Sequence, residues 1–261
     1  MLMTLHPDRP PSQRGFSLVE MMIAVTVGLV VLAGITQIFA TSVGTAADTR
    51  KLARVNADLR TAMDLMVHDI QRAGSSFTAV NVLANTVNNT TNPFTLGVND
   101  LRVNEAVAIN NVPGTCITFT YDDGNDGVVN TNEPVNQRQD MYAFYLSNGA
   151  INKRRDGSTS TANSCNPDLV ESITDPDRVT ITGLTFTVTE QCLNISGIPP
   201  RACATLPLPV ATNTLAKARQ VTITISGRPV EDTTNTMLRT ITNTVRVRND
   251  LVCLKGSEQC P

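Results

Sequence analysis

The chain has 261 residues, 41% of them hydrophobic, no Trp, and a formal net charge of -2, a balance that excludes the basic footprint of a nucleic-acid binder. Its one short basic run, Lys153-Arg154-Arg155, is of a kind that usually marks a solvated strand end. With two histidines, His6 and His68, no internal repeat, and no GxGxxG, GxxxxGK[ST] or G-x-S-x-G pattern, it shows no machinery for catalysis or nucleotide binding, and it is not expected to be an enzyme.

The first predicted element is an apolar helix. Residues 21–47 contain no Asp, Glu, Lys or Arg, and roughly 20 apolar residues suffice for a helix to cross a bilayer. The run has no Pro, although Gly28 and Gly34 soften it. Immediately before it stands one acid, Glu20. An ionised carboxylate at bilayer depth is costly unless something compensates it, so Glu20 is the strongest functional lead. Three plainer readings compete. One is a secretory signal peptide with Arg9 and Arg14 as its basic region and Gly44-Thr45-Ala46 as its cleavage site, although such apolar cores run only about 7 to 15 residues. The second is a simple one-pass anchor. The third lets Glu20 snorkel to the headgroups from the helix end.

The string Arg14-Gly15-Phe16-Ser17-Leu18-Val19-Glu20 closely resembles the class III prepilin motif of type IV pilins and type II secretion pseudopilins. The resemblance implies that a prepilin peptidase cuts between Gly15 and Phe16 on the cytoplasmic side, and that the new amine of Phe16 is then methylated. Residues 1–15 would be the leader, and residues 16–40 the transmembrane and filament-core helix. Glu20 would meet the Phe16 amine of a neighbouring subunit and so set register during assembly. Physical chemistry agrees, because a cation four residues away in sequence is the kind of partner a carboxylate in lipid requires.

Charge says little about orientation, since Arg9 and Arg14 precede the span while Arg50, Lys51 and Arg54 follow it. Cysteine placement says more. Cys116, Cys165, Cys192, Cys203, Cys253 and Cys260 all lie after the span and none forms a C-x-x-C pair, which suggests disulfides in an oxidising compartment. The chain is therefore expected in the inner membrane as a single pass, with its C-terminal part in the periplasm. Sequence does not fix the connectivity. Cys192 with Cys203 and Cys253 with Cys260 would close short loops, leaving Cys116 with Cys165.

Beyond the membrane the helix is expected to continue over residues 41–74. Leu52, Val55, Leu59, Ala62, Met63, Met66, Ile70 and Ala73 draw one apolar stripe at three-four spacing. The other face carries Arg54 with Asp58, Arg60 with Asp64, and Asp69 with Arg72 at pairing distance in sequence. His68 is read as solvated or locally paired beside Asp64 and Asp69. Gly74 supplies a C-cap. A single helix from Phe16 to about Ala73 would be roughly 85 Å long.

Residues 75–261 shift to Thr, Asn, Val and Gly, the habit of strands joined by irregular loops. Strands are expected at 116–121, 140–146, 151–155, 179–189, 220–228 and 237–248. The clearest alternation sets Val221, Ile223 and Ile225 against Thr222 and Thr224. Residues 78–99 and 197–209 read as loop excursions. The fold class is α+β: a long N-terminal helix, half membrane-embedded and half amphipathic, packed on a meandering antiparallel sheet.

One loop carries possible metal chemistry. Residues 122–133 place Asp122, Asp126, Gly127 and Glu133 in a register that resembles the twelve-residue calcium loop, although Gly124 brings no side-chain oxygen at the third position. Asp123 or Asn125 could substitute. A plain polar turn of Asp, Asn and Gly explains the same residues. No other cofactor is expected.

Taken whole, the chain resembles minor pilins of the PilW-like kind: strongly over residues 15–74, including the helix exit Asp64-Leu65-Met66-Val67-His68-Asp69-Ile70-Gln71-Arg72-Ala73-Gly74, and by order and size beyond. That resemblance implies a protein that helps initiate or cap a type IV pilus. Its partners would be other major and minor pilins, prepilin peptidase, the inner-membrane assembly platform and membrane lipid, with no nucleic acid, and its end point the pilus at the cell surface. A J-like type II secretion pseudopilin shares the same leader and core. A tip adhesin or DNA-uptake pilin would need an exposed basic or aromatic patch.

Overall fold

The computed structural model describes residues 15–77, 92–95, 97–104, 106–107, 112–129, 140–155, 165, 170–197, 199–203, 214–249 and 251–254. The chain divides into two compact units whose boundary in sequence falls between Arg50 and Lys51. One long apolar helix and antiparallel sheets make an α+β fold.

Helix α1 runs Leu18–Gln71. Its first carbonyl acceptor is Ser17, which takes the Met21 N–H at 3.1 Å. Within the second unit, Val55, Leu59, Ala62, Met63, Met66 and Ile70 are buried to 4% exposure or less, as the stripe predicts, while Leu52 at its start is only half-buried. Fully burying a Leu or Met side chain stabilises by about 1.5–3 kcal/mol, so this stripe is a main tie between helix and sheets. The helix ends where Gly74 adopts φ +73°, a left-handed conformation that L side chains rarely adopt. Its N–H turns away from the helix and donates to the Thr120 carbonyl at 2.7 Å, stitching the exit to a strand.

Among the described residues the strands form two six-stranded antiparallel sheets rather than the single meander expected. The first contains β1 (Arg102–Val103), β2 (Ala106–Val107), β4 (Cys116–Thr120), β5 (Met141–Ser147), β6 (Ala150–Arg155) and β7 (Val170–Ser172), in the order β2-β1-β4-β5-β6-β7. The second contains β3 (Pro113–Gly114), β8 (Val179–Asn194), β9 (Arg201–Ala202), β10 (Thr214–Pro229), β11 (Arg239–Arg246) and β12 (Leu251–Leu254). Its order is β11-β10-β8-β3, with β9 on β8 and β12 on β10. One core draws on α1 and both sheets: Phe119, Tyr142 and Phe144 from the first, and Ile181, Phe186, Val221, Ile223 and Ile225 from the second. Each sheet thus contributes a face to the same core, which a single meander could not do.

Strand β10 alternates as predicted, with Val221, Ile223 and Ile225 fully buried. On its other face hydroxyls bond across to β11: Thr222 to Thr244 at 3.0 Å, Thr224 to Thr242 at 3.1 Å and Ser226 to Thr240 at 2.8 Å. At Gly227 a Cβ would stand 3.1 Å from the Leu59 Cδ2 and 3.3 Å from the Ile181 Cδ1. Glycine there lets Leu59 of the helix approach β10 closely.

Two expectations about charged side chains give way to long-range partners. Asp69, expected on the solvated face with Arg72, is buried, and Lys153 Nζ of β6 donates to its Oδ2 at 2.6 Å. Arg72 instead reaches Asp123 at 3.3 Å and lies 4.0 Å over the Tyr121 ring. His68 is exposed, with Nδ1 3.7 Å from Asp69. The basic run is not a solvated strand end: Lys153 is largely covered and Arg154 is buried. The aliphatic stem of an arginine, and a paired ammonium, can both be accommodated inside a sheet in this way.

Candidate functional site

The first unit has the site with the clearest physical demand. From residue 15 to residue 50 every described residue except Gly28 is exposed. The most apolar 18-residue stretch of α1 has a mean hydropathy of 2.4, with none of it buried. Phe16 is 85% exposed, and Leu18, Met21, Ile23, Val27, Leu29 and Val30 all exceed half exposure. A helix apolar on every side is stable only when lipid or other helices surround it.

The threonine hydroxyls of this stretch are handled locally. Thr26 and Thr36 donate their hydroxyls to the carbonyls of Ile23 and Ala33, and Thr41, Thr45 and Thr49 donate to the carbonyls four residues before them, all at 2.8–3.0 Å. Such back-bonding removes unsatisfied donors from an apolar medium. The four-residue spacing of the last three was a visible signal in the sequence that hydropathy alone overlooks.

Glu20 is different, since it lies exposed in the first turn of α1. The positive end of the helix dipole favours an acid there by a fraction of a kcal/mol at the surface. That is too little to offset burial of a full charge in lipid, which costs at least about 2.5 kcal/mol. Gly15, Phe16 and Ser17 precede the helix, so an amine created at Phe16 would stand about one turn from Glu20 along the chain.

In the second unit the predicted calcium residues take a clear local role. Asp122 is buried, and its carboxylate accepts three backbone N–H groups: Asp126 at 3.0 Å, Gly127 at 3.0 Å and Phe77 at 2.9 Å. Asp126 in turn accepts the Val128 N–H at 2.9 Å. These bonds close the loop on itself and tie it to the chain just after the helix. The described residues contain no group of three His, Cys, Asp or Glu side chains placed to hold a metal ion, and Glu133 lies outside them.

Disulfides join Cys116 to Cys165 and Cys192 to Cys203, across sequence separations of 49 and 11 residues. Cys260, and the Cys253 side chain, lie outside what the structure describes. Closing such loops restricts the unfolded chain and stabilises by a few kcal/mol each.

Sequence reasoning did not find the buried ion pair beside the helix exit. Arg219 of β10 is 2% exposed, and its Nη1 donates to Asp100 Oδ1 at 2.5 Å. Asp100 Oδ1 also accepts the Leu101 N–H at 2.8 Å. Arg219 Nη2 stands 3.9 Å from where a Gly74 Cβ would be, so the cation lies beside the negative end of the helix dipole.

The family model described as prepilin peptidase-dependent protein B matches residues 48–247, and that of the prokaryotic N-terminal methylation motif matches residues 10–36. The second range contains Gly15, Phe16 and Glu20. No curated protein and no solved structure matches the chain.

Proposed function

The chain belongs to the prepilin peptidase-dependent protein B family and carries the N-terminal methylation motif, and from this premise we propose that it is a minor pilin that helps initiate or cap a type IV pilus. Prepilin peptidase removes residues 1–15, Phe16 becomes the methylated N-terminus, residues 16–40 anchor the protein in the inner membrane, and residues 75–261 form the periplasmic head. The role is structural. The apolar helix leaves the bilayer for a bundle of other pilin helices, so its side chains exchange lipid for protein with little change in solvation.

The observation that carries the proposal is the pairing of an apolar first helical stretch, none of whose side chains is buried, with one acid in its first turn. Van der Waals packing can hold such helices together but does not fix their axial register. A single ion pair in a low dielectric can, because a shift of one turn leaves the charge uncompensated. Glu20 against the Phe16 amine of a neighbour is that pair.

The test is Glu20→Ala in cells that make the filament. Membrane insertion should persist, since removing an acid only raises hydropathy. The amount recovered in sheared pili should fall by about tenfold or more, from the loss of an uncompensable partner. Undiminished incorporation would mean that Glu20 merely faces the headgroups.

A further inference from the structure

The four ends of the two sheets are not alike. Among the described residues, the first sheet ends in β2 and β7, two and three residues long, and the second ends on one side in β3, two residues long. Short strands at sheet ends are a common defence against unwanted pairing, because they offer few free backbone groups. On the remaining side β10 carries β11, eight residues long and paired from Arg239 to Arg246 without a register shift, with the four-residue β12 beyond it.

The protection β11 does carry is charge, with Arg239 and Arg246 at its two ends. Its sequence, Arg-Thr-Ile-Thr-Asn-Thr-Val-Arg, has no Pro and no Lys, it carries no bulge, and six of its eight residues are exposed. In an antiparallel ladder alternate residues point their N–H and C=O to opposite sides, so about four residues of β11 direct both groups outward. The strand is also tied to β10 through side chains, by the hydroxyl bonds to Thr240, Thr242 and Thr244. A partner would meet a preformed template and lose little entropy to ordering this side.

We propose that β11 is a docking edge for an extended strand supplied by another protein, with an uncharged centre and an acidic residue opposite Arg239. The charges on the page select that occupant. A second copy of the chain paired antiparallel over the full strand would set Arg239 against Arg246 at both ends, and like charges opposite one another destabilise a sheet. An acid opposite exposed Arg239 turns the same position into an attraction, and the Thr, Ile and Asn between accept a neutral β-branched strand. The inference concerns the head alone and does not depend on how the N-terminal helix assembles.

The test uses the full-length protein in detergent micelles and three synthetic octapeptides of alternating Thr and Val. One ends in Glu, placed to fall opposite Arg239 in antiparallel pairing. The second replaces that Glu with Lys. The third keeps Glu but is N-methylated at alternate backbone nitrogens, which abolishes its ladder. Amide exchange across residues 239–246 should slow about tenfold or more with the first peptide at millimolar concentration, less with the second, and not at all with the third. Unchanged exchange with all three, or equal protection by the N-methylated peptide, would overturn the proposal. So would a dimer of the peptide-free protein in sedimentation whose own exchange is already slowed across β11, because the occupant would then be a second copy.

Discussion

Two stretches of the same helix follow opposite rules. Over residues 51–71 apolar side chains recur at three-four spacing and vanish into the core, while charged ones face water or cross to the sheets. Over residues 18–50 apolar side chains occupy every face, none is buried, and the only acids are Glu20 at the start and Asp48 near the end. Propensity alone does not distinguish the two stretches, since both are helical. The difference lies in the solvent each requires: the second stretch brings its own core, and the first needs one supplied by lipid or by neighbouring helices.

The largest effect should come from breaking the buried ion pair beside the helix exit. Asp100→Ala leaves the buried Arg219 guanidinium without its counter-ion, and losing one partner of a buried pair costs roughly 3–5 kcal/mol. Denaturant unfolding followed by far-UV signal should show that loss. A change below about 1 kcal/mol would mean that the pair behaves like a surface bridge.

Next in size is a matched pair of truncations. Leu59→Ala should cost the head about 2–5 kcal/mol, because the side chain is fully buried and Gly227 leaves it no slack. Leu29→Ala should leave the melting temperature of the head in micelles unchanged. Equal losses would erase the contrast between the two stretches, and a large effect of Leu29→Ala alone would reverse it.

The smallest effect is electrostatic and lies far along the chain in the β10–β11 turn. Asp232 accepts the Met237 N–H at 2.7 Å and further bonds from Thr234 and Thr236, and these hold its carboxyl down at about 2. The ordinary unfolded value is about 3.9. A depressed folded pKa contributes stability that is complete above the unfolded value and fades as pH falls from there toward 2. Asp232→Asn should therefore flatten the loss of head stability between about pH 4 and pH 2. An acid transition identical to that of the unsubstituted protein would show that other carboxylates carry it.

Both helical stretches and the longest strands were legible because each rests on local periodicity. The stripe from Val55 to Ile70 and the alternation at Val221, Ile223 and Ile225 need only neighbours in sequence to be recognised. What escaped depends on distant partners. The strand expected at 220–228 begins earlier: residues 214–219 extend β10, with Lys217 near Glu190 at 3.5 Å and Arg219 on Asp100. Asp69 was assigned to Arg72 on helix geometry and lost to Lys153, 84 residues away. Strands of two or three residues, such as β1, β3 and β9, are too short to show any period. The acid of the candidate site was visible because nothing local explains a carboxylate at the head of an apolar run.

The measurement closest to the central claim is the mass of the N-terminal peptide of the protein purified from membranes of cells that make the filament. The account predicts that it begins at Phe16 and carries one methyl group on its amine. A chain that keeps residues 1–15, or one that begins near Ala47, would contradict it.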